Sequence, residues 1–207
     1  MSRLALLVTG ASGMRLPAHA LRRLANHPAV ERLHLVVSSG AAKVLRHEIP
    51  GPERDATEAL LAAAGLGGNR PAGLVVHGER ELEAEISSGS YRLDATIVLP
   101  CSSGTLGALA AGAAANLVQR AGLVALKERW PLILGFRETP LSLVHIENMR
   151  RVSYAGATIV PPIPAFYVGG EKMERFLDAY VLRLMDIAGV PSQDGDDLRW
   201  EGGRVKS

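Results

Sequence analysis

Short runs of consecutive apolar residues recur along this chain, most of them followed directly by glycine, serine or proline. They lie at 4–8, 33–37, 74–77, 96–99, 131–136 and 157–160. Runs this short with no polar alternation predict strands buried on both faces, as in a parallel sheet. Between them lie stretches rich in alanine, leucine and charged residues. These predict helices through about Asn26, over 41–47, 57–64, 106–120 and 141–154, and a final helix over 171–188. Alternating strands and helices of these lengths predict an α/β domain. In the final helix, Phe176, Leu177, Tyr180, Val181, Leu184 and Ile187 recur at near-helical spacing, which predicts a face for the core or for an oligomer contact.

The chain is organised around Thr96-Ile97-Val98-Leu99-Pro100-Cys101-Ser102-Ser103-Gly104-Thr105. Proline is expected to end the strand, and a small polar turn then opens an alanine-rich helix. A strand, a small turn and a helix N-terminus present backbone N–H groups to an anion. The same residues also make an ordinary helix cap. The other loops favour the anion. Thr9-Gly10-Ala11-Ser12-Gly13 follows the first strand, but the full G-x-G-x-x-G dinucleotide pattern is absent. After the second strand stand Ser38 and Ser39, where a nicotinamide-dinucleotide site carries an acidic residue. This favours a phosphate or a flavin mononucleotide. Arg137 and Glu138 end the strand at 131–136, at the sheet edge where open α/β sheets bind ligands.

Composition narrows the picture. The 207 residues suit one domain with a sizeable core, and aromatics are only 4%, so that core is aliphatic. We expect a domain over 1–190 and a polar tail over 191–207. A formal net charge of +2 gives no ground for nucleic acid or an anionic membrane as partner. The single cysteine fits a reducing compartment, and no leader segment or membrane span is visible, so a cytoplasmic protein is expected. The six histidines are scattered, most are expected at the surface, and no metal-ligand cluster stands out.

The ordered set of motifs resembles the flavin prenyltransferase family of the UbiX/Pad type. The matching blocks are Thr9-Gly-Ala-Ser-Gly13, Ser38, Pro100-Cys-Ser-Ser-Gly-Thr105, Leu126-Lys-Glu-Arg129, Arg137-Glu-Thr-Pro140, Pro161-Pro-Ile-Pro-Ala-Phe-Tyr167 and Arg183. The resemblance implies a Rossmann-like, flavodoxin-like three-layer sandwich with a central parallel sheet, assembled as a dodecamer. It implies a metal-independent enzyme that joins a dimethylallyl group, from dimethylallyl monophosphate or pyrophosphate, to reduced FMN. The prenylated FMN would pass to a UbiD-type decarboxylase. Carried over by motif, FMN would be held by Gly10, Ala11, Ser12, Ser38, Ser102, Ser103, Gly104, Thr105 and Arg137. The prenyl phosphate would be held by Tyr167, Arg183, Lys127 and Arg120, with help from Ser88, Ser90 and Glu48, and Glu138 would move the proton.

Two departures stand out. The family continues its first loop as G-A-S-G-A-x-Y-G, whereas this chain reads Gly10-Ala-Ser-Gly-Met14-Arg15-Leu16-Pro17. Met14 and Leu16 are therefore expected to reshape the prenyl pocket. The family often has Ser-Lys where this chain has Ser38-Ser39. The alternatives are an FMN carrier or chaperone without prenyl transfer, and a flavin-dependent cysteine decarboxylase relying on an early histidine such as His19.

Overall fold

The computed structural model describes residues 1–52, 55–166, 173–191 and 198. The apolar runs form β1 (Ser2–Val8), β2 (Val30–Val37), β3 (Leu74–His77), β4 (Ala95–Cys101), β5 (Leu132–Phe136) and β6 (Thr158–Ile159). The helices are α1 (Arg15–Ala25), α2 (Ser39–Glu48), α3 (Ala56–Ala63), α4 (Ser103–Ala110), α5 (Leu117–Glu128), α6 (Leu143–Tyr154) and α7 (Met173–Ile187). The strands form one sheet in the order β3-β2-β1-β4-β5-β6, and every neighbouring pair is parallel. This is the Rossmann-like doubly wound order, whose direction reverses between β1 and β4.

The pleat of β1 explains the three layers. Leu4, Leu6 and Val8 face a core shared with α1, α2, α3 and α7. Ala5 and Leu7 face a second core shared with α4, α5 and segment 84–93. Each of these side chains is fully buried, a gain of about 1.5–3 kcal/mol for each of the larger ones relative to exposure. The stripe predicted on α7 is core: Leu177, Tyr180, Val181 and Leu184 are buried.

Two expectations are corrected. Pro100 does not end its strand; β4 continues through it to Cys101, and the register against β5 shifts between Val98 and Cys101. The irregularity accommodates a residue that has no N–H for the ladder. The alanine-rich stretch is two helices. Gly112 takes the left-handed conformation (φ 67°) after α4, and the Asn116 side chain caps α5 by accepting from Gln119 N–H. Local helix propensity cannot register such a break. Among the described residues no helix is long and apolar enough to cross a membrane.

Candidate active site

The loops after β1 and β4 meet at the point where strand order reverses. Thr9, buried at the end of β1, joins them. Its hydroxyl donates to the Pro100 carbonyl (2.7 Å) and accepts from Ser102 N–H (2.8 Å). Ser102 then caps α4: its Oγ accepts from Thr105 N–H (3.3 Å) and donates to Thr105 Oγ1 (3.1 Å). The next two residues, Ser103 and Gly104, open α4, where N–H groups have no helical acceptor. A Cβ placed on Gly104 would meet nothing within 4 Å, so the space over this helix end is open.

Glycine at position 10 has a steric cause. A Cβ there would lie 2.7 Å from the Gly40 carbonyl carbon, so the β1 and β2 loops approach through backbone alone. Ser38 caps α2 on the same edge, its buried Oγ accepting from Ala41 N–H (3.1 Å). Ser39, at the position where the family often has lysine, donates its N–H to Glu79 Oε2 (3.0 Å).

Glu48 organises the first loop. Helix α1 has no side-chain cap of its own. Glu48 Oε2, from the end of α2, accepts from Gly13 N–H (2.8 Å) and Met14 N–H (2.7 Å), capping α1 across elements. Burial works to raise the Glu48 pKa. Hydrogen bonds from the Ser12 side chain and from the Met14 and Gly13 N–H groups, with the Arg137 charge, outweigh it and hold the carboxyl below its usual range.

Beside this loop opens a cavity of about 390 Å³. Ser12, Glu48 and Arg137 supply its polar wall, and Leu16, Phe176 and Leu177 an apolar one. This places Gly10, Ala11, Ser12, Ser38, Ser102, Ser103, Gly104, Thr105 and Arg137 at one sheet edge, with Glu48 beside them. Glu138 is half-buried just beyond β5, and its Oε1 accepts from Thr139 N–H (3.1 Å). It is not part of the cavity lining.

Of the predicted phosphate ligands, Glu48 lines this cavity, whereas Arg120, Ser88, Ser90, Lys127 and Arg183 do not. Arg120 on α5 donates from Nε to the Ser87 carbonyl (3.0 Å), and Ser88 Oγ and Ser90 Oγ are 2.8 Å apart in the adjoining loop. A Cβ on Gly89 would strike Lys127, which is ion-paired with Glu128, so this loop lies against the end of α5. Lys127 comes five residues before β5 starts, at the opposite, amino edge of the sheet. There it lines a cleft with Arg129, Trp130, Tyr154 and Ile187. Arg183 is exposed on α7, one turn before Ile187. Within one protomer Lys127 and the crevice therefore lie at opposite edges of the sheet. Tyr167 lies outside the described residues, as do 192–197 and 199–207 of the predicted tail.

Three sequence expectations change. Met14 is fully buried in the core and does not line the cavity, whereas Leu16 and Arg15 do. His19 is buried on α1, 3.6 Å from Asp178 of α7, and is not in the cavity lining. Four histidines, His19, His27, His34 and His77, are buried rather than at the surface. His34 and His77 also bring ring nitrogens within 4.8 Å of a Glu85 carboxylate oxygen. Burial, followed by the neighbouring His77, pushes the His34 pKa down to about 4. The residues that sequence reasoning missed are Thr9, Gly40 and the Phe176–Leu177 part of the apolar wall. A buried threonine directly after a strand was the available signal for the first. For the wall, the α7 stripe was visible but not its approach to the first loop.

The family model described as Flavoprotein matches residues 1–178. A flavin prenyltransferase UbiX from Chlamydia pneumoniae is 35% identical over 192 residues, covering 93% of this chain and 95% of that protein. The crystal structure of a dodecameric FMN-dependent UbiX-like decarboxylase from Escherichia coli O157:H7 superposes with a TM-score of 0.83 at 38% identity, covering 97% of this chain and 100% of that one. The structure of AnUbiX in complex with FMN and dimethylallyl pyrophosphate gives 0.81 at 38% identity, covering 98% and 99%. Sequence identity and backbone superposition thus agree over nearly the whole length, and the chain belongs to the UbiX-type flavin prenyltransferases of the Flavoprotein family.

Proposed function

We propose that this protein transfers a dimethylallyl group from dimethylallyl monophosphate or pyrophosphate to reduced FMN, and that the prenylated flavin serves a UbiD-type decarboxylase. The observation that carries this reading is the juxtaposition at the strand-order reversal. An open, hydroxyl-rich helix N-terminus suits the FMN phosphate. The adjoining cavity, polar at Ser12, Glu48 and Arg137 and apolar at Leu16, Phe176 and Leu177, suits a five-carbon tail. Reduced FMN, as acceptor, supplies an electron-rich ring.

The remaining work falls to side chains. Ser38, Ser102, Ser103 and Thr105 with Gly10, Ala11, Ser12, Gly104 and Arg137 hold the flavin. Arg120, Lys127, Ser88, Ser90, Tyr167 and Arg183 take the leaving phosphate through charge and hydrogen bonds. Glu138 moves the proton. Because Lys127 lies at the sheet edge opposite the crevice, the phosphate ligands reach it from other subunits. A dodecamer supplies them. Leu143, Val144, Tyr154 and Phe166 are 66–87% exposed, an apolar surface that a lone protomer leaves in water.

The test is anaerobic incubation with reduced FMN and each donor, followed by mass spectrometry of the extracted flavin. One added prenyl unit is the expected result. Unchanged FMN with both donors, from protein that binds FMN, overturns the transferase reading in favour of a flavin carrier.

A further inference from the structure

A second cluster of chemistry-bearing side chains lies on the β2–β3 side of the sheet and shares no residue with the cavity. His34 is fully buried on β2, and His77, at the end of β3, is 8% exposed. The register pairs His34 with Val75 and Val36 with His77, so the two rings are diagonal neighbours on one face. His34 Nδ1 is 2.9 Å from His77 Nε2, and 3.8 Å from Glu85 Oε1. Each outer ring nitrogen has an oxygen nearby. His34 Nε2 is 3.0 Å from the Tyr91 hydroxyl, and His77 Nδ1 is 3.5 Å from Glu81 Oε2.

We propose that His34 Nδ1, His77 Nε2 and Glu85 Oε1 form a binding site for a borderline divalent transition-metal ion of the zinc type. Two donors at the usual zinc distances on a tetrahedral ion stand about 3.3 Å apart. The observed 2.9 and 3.8 Å bracket that separation, and the cluster's three ligand atoms all lie within 4.8 Å of one another. Two imidazoles with one carboxylate are a donor set for zinc and its neighbours rather than for calcium or magnesium. The outer contacts match what metal-bound histidines require: an oxygen on the remaining ring nitrogen to fix tautomer and orientation. On binding, each ring keeps one proton on its outer nitrogen. His34 Nε2–H donates to the Tyr91 oxygen and His77 Nδ1–H to Glu81, leaving both inner lone pairs for the ion. The Glu85 side chain is 41% exposed, which leaves a path from solvent and a free coordination position.

The site is structural. Glu81, Glu85 and Tyr91 belong to segment 78–92, which joins β3 to β4 and carries Ser87, Ser88 and Ser90. An ion fixed to His34 and His77 fastens that segment to the sheet.

The full-length protein, stripped with chelator and dialysed, is titrated with cobalt(II) and then zinc(II), read by visible absorption, calorimetry and Tm. One equivalent per protomer is expected, with cobalt d–d bands that zinc removes and a rise in Tm. Glu81→Gln lowers affinity by about 10- to 100-fold. Glu85→Gln and His77→Gln lower it further, while His47→Gln, on the exposed face of α2, leaves it unchanged. If His77→Gln does not fold, Glu81→Gln and Glu85→Gln decide. Absence of cobalt bands and of binding heat in the parent overturns the site, and so does parent-like affinity in Glu85→Gln.

Discussion

At the scale of single residues, the chemistry depends on a few groups held by neighbours far away in sequence. Glu48 accepts two loop N–H groups, and hydrogen bonds to a charged acceptor contribute about 1.5–3 kcal/mol each. Glu48→Ala is therefore expected to cost about 3 kcal/mol or more in urea unfolding at neutral pH. The folded-state pKa of Glu48 is depressed, so its contribution is fully present above the unfolded carboxylate value and is lost as pH falls through the lower folded value. The gap between parent and variant should close at the acid end; a gap independent of pH would contradict the assignment. Glu138 and Arg183 should fail differently. Glu138→Gln should bind FMN normally but lose about 10²- to 10⁴-fold in turnover, whereas Arg183→Ala should chiefly raise the donor KM. Parent-like turnover in Glu138→Gln removes that residue from proton transfer. Met14 and Leu16 separate core from pocket. Met14→Ala empties a fully buried site and should cost about 2–5 kcal/mol with donor KM little changed. Leu16→Ala enlarges the cavity wall and should shift preference toward longer prenyl donors, measured as the ratio of kcat/KM values.

At the scale of elements, strand ends and helix starts build the crevice together, and two glycines test this from opposite sides. Gly10 sits where the β1 and β2 loops touch through backbone, 2.7 Å from any added Cβ. Gly10→Ala must push the loops apart, at about 1–3 kcal/mol by analogy with overpacked cores, and should lose FMN affinity as well. Gly104 opens α4 beneath empty space. Gly104→Ala should leave Tm unchanged or slightly raised, because alanine is the better helix former. Its methyl group would occupy the anion position, so flavin fluorescence titration should still show weakened FMN binding. Unchanged affinity would move the FMN phosphate away from α4. Neither outcome follows from element prediction alone, because the predicted helix began at Leu106 whereas α4 begins at Ser103.

At the scale of the whole molecule, Lys127 lies at the sheet edge opposite the crevice, so the phosphate role proposed for it requires assembly. Leu143 and Val144 are 80% and 66% exposed at the start of α6. Replacing both with aspartate should leave the protomer folded by circular dichroism but shift light scattering to smaller species and abolish prenyl transfer. Full transfer from a monomeric variant would show that one chain holds the complete site. The core is indifferent to such a change, since both layers bury their side chains within the protomer.

What the sequence determined by itself was the alternation of buried strands and helices, the loops that end in serine and glycine, and the motif order from Thr9 to Arg183. Periodicity and turn chemistry are local, so they survive in a linear reading. Tertiary structure alone decided that Thr9 clasps Pro100 and Ser102, that Glu48 caps a helix it does not belong to, and that Met14 belongs to the core while Leu16 faces the cavity. Each of these joins residues 34 or more positions apart, or depends on which face of an element a neighbour covers. The paired buried histidines are the same case. Positions 34 and 77 carry no shared local signal, and only the parallel register of β2 and β3 sets their rings side by side.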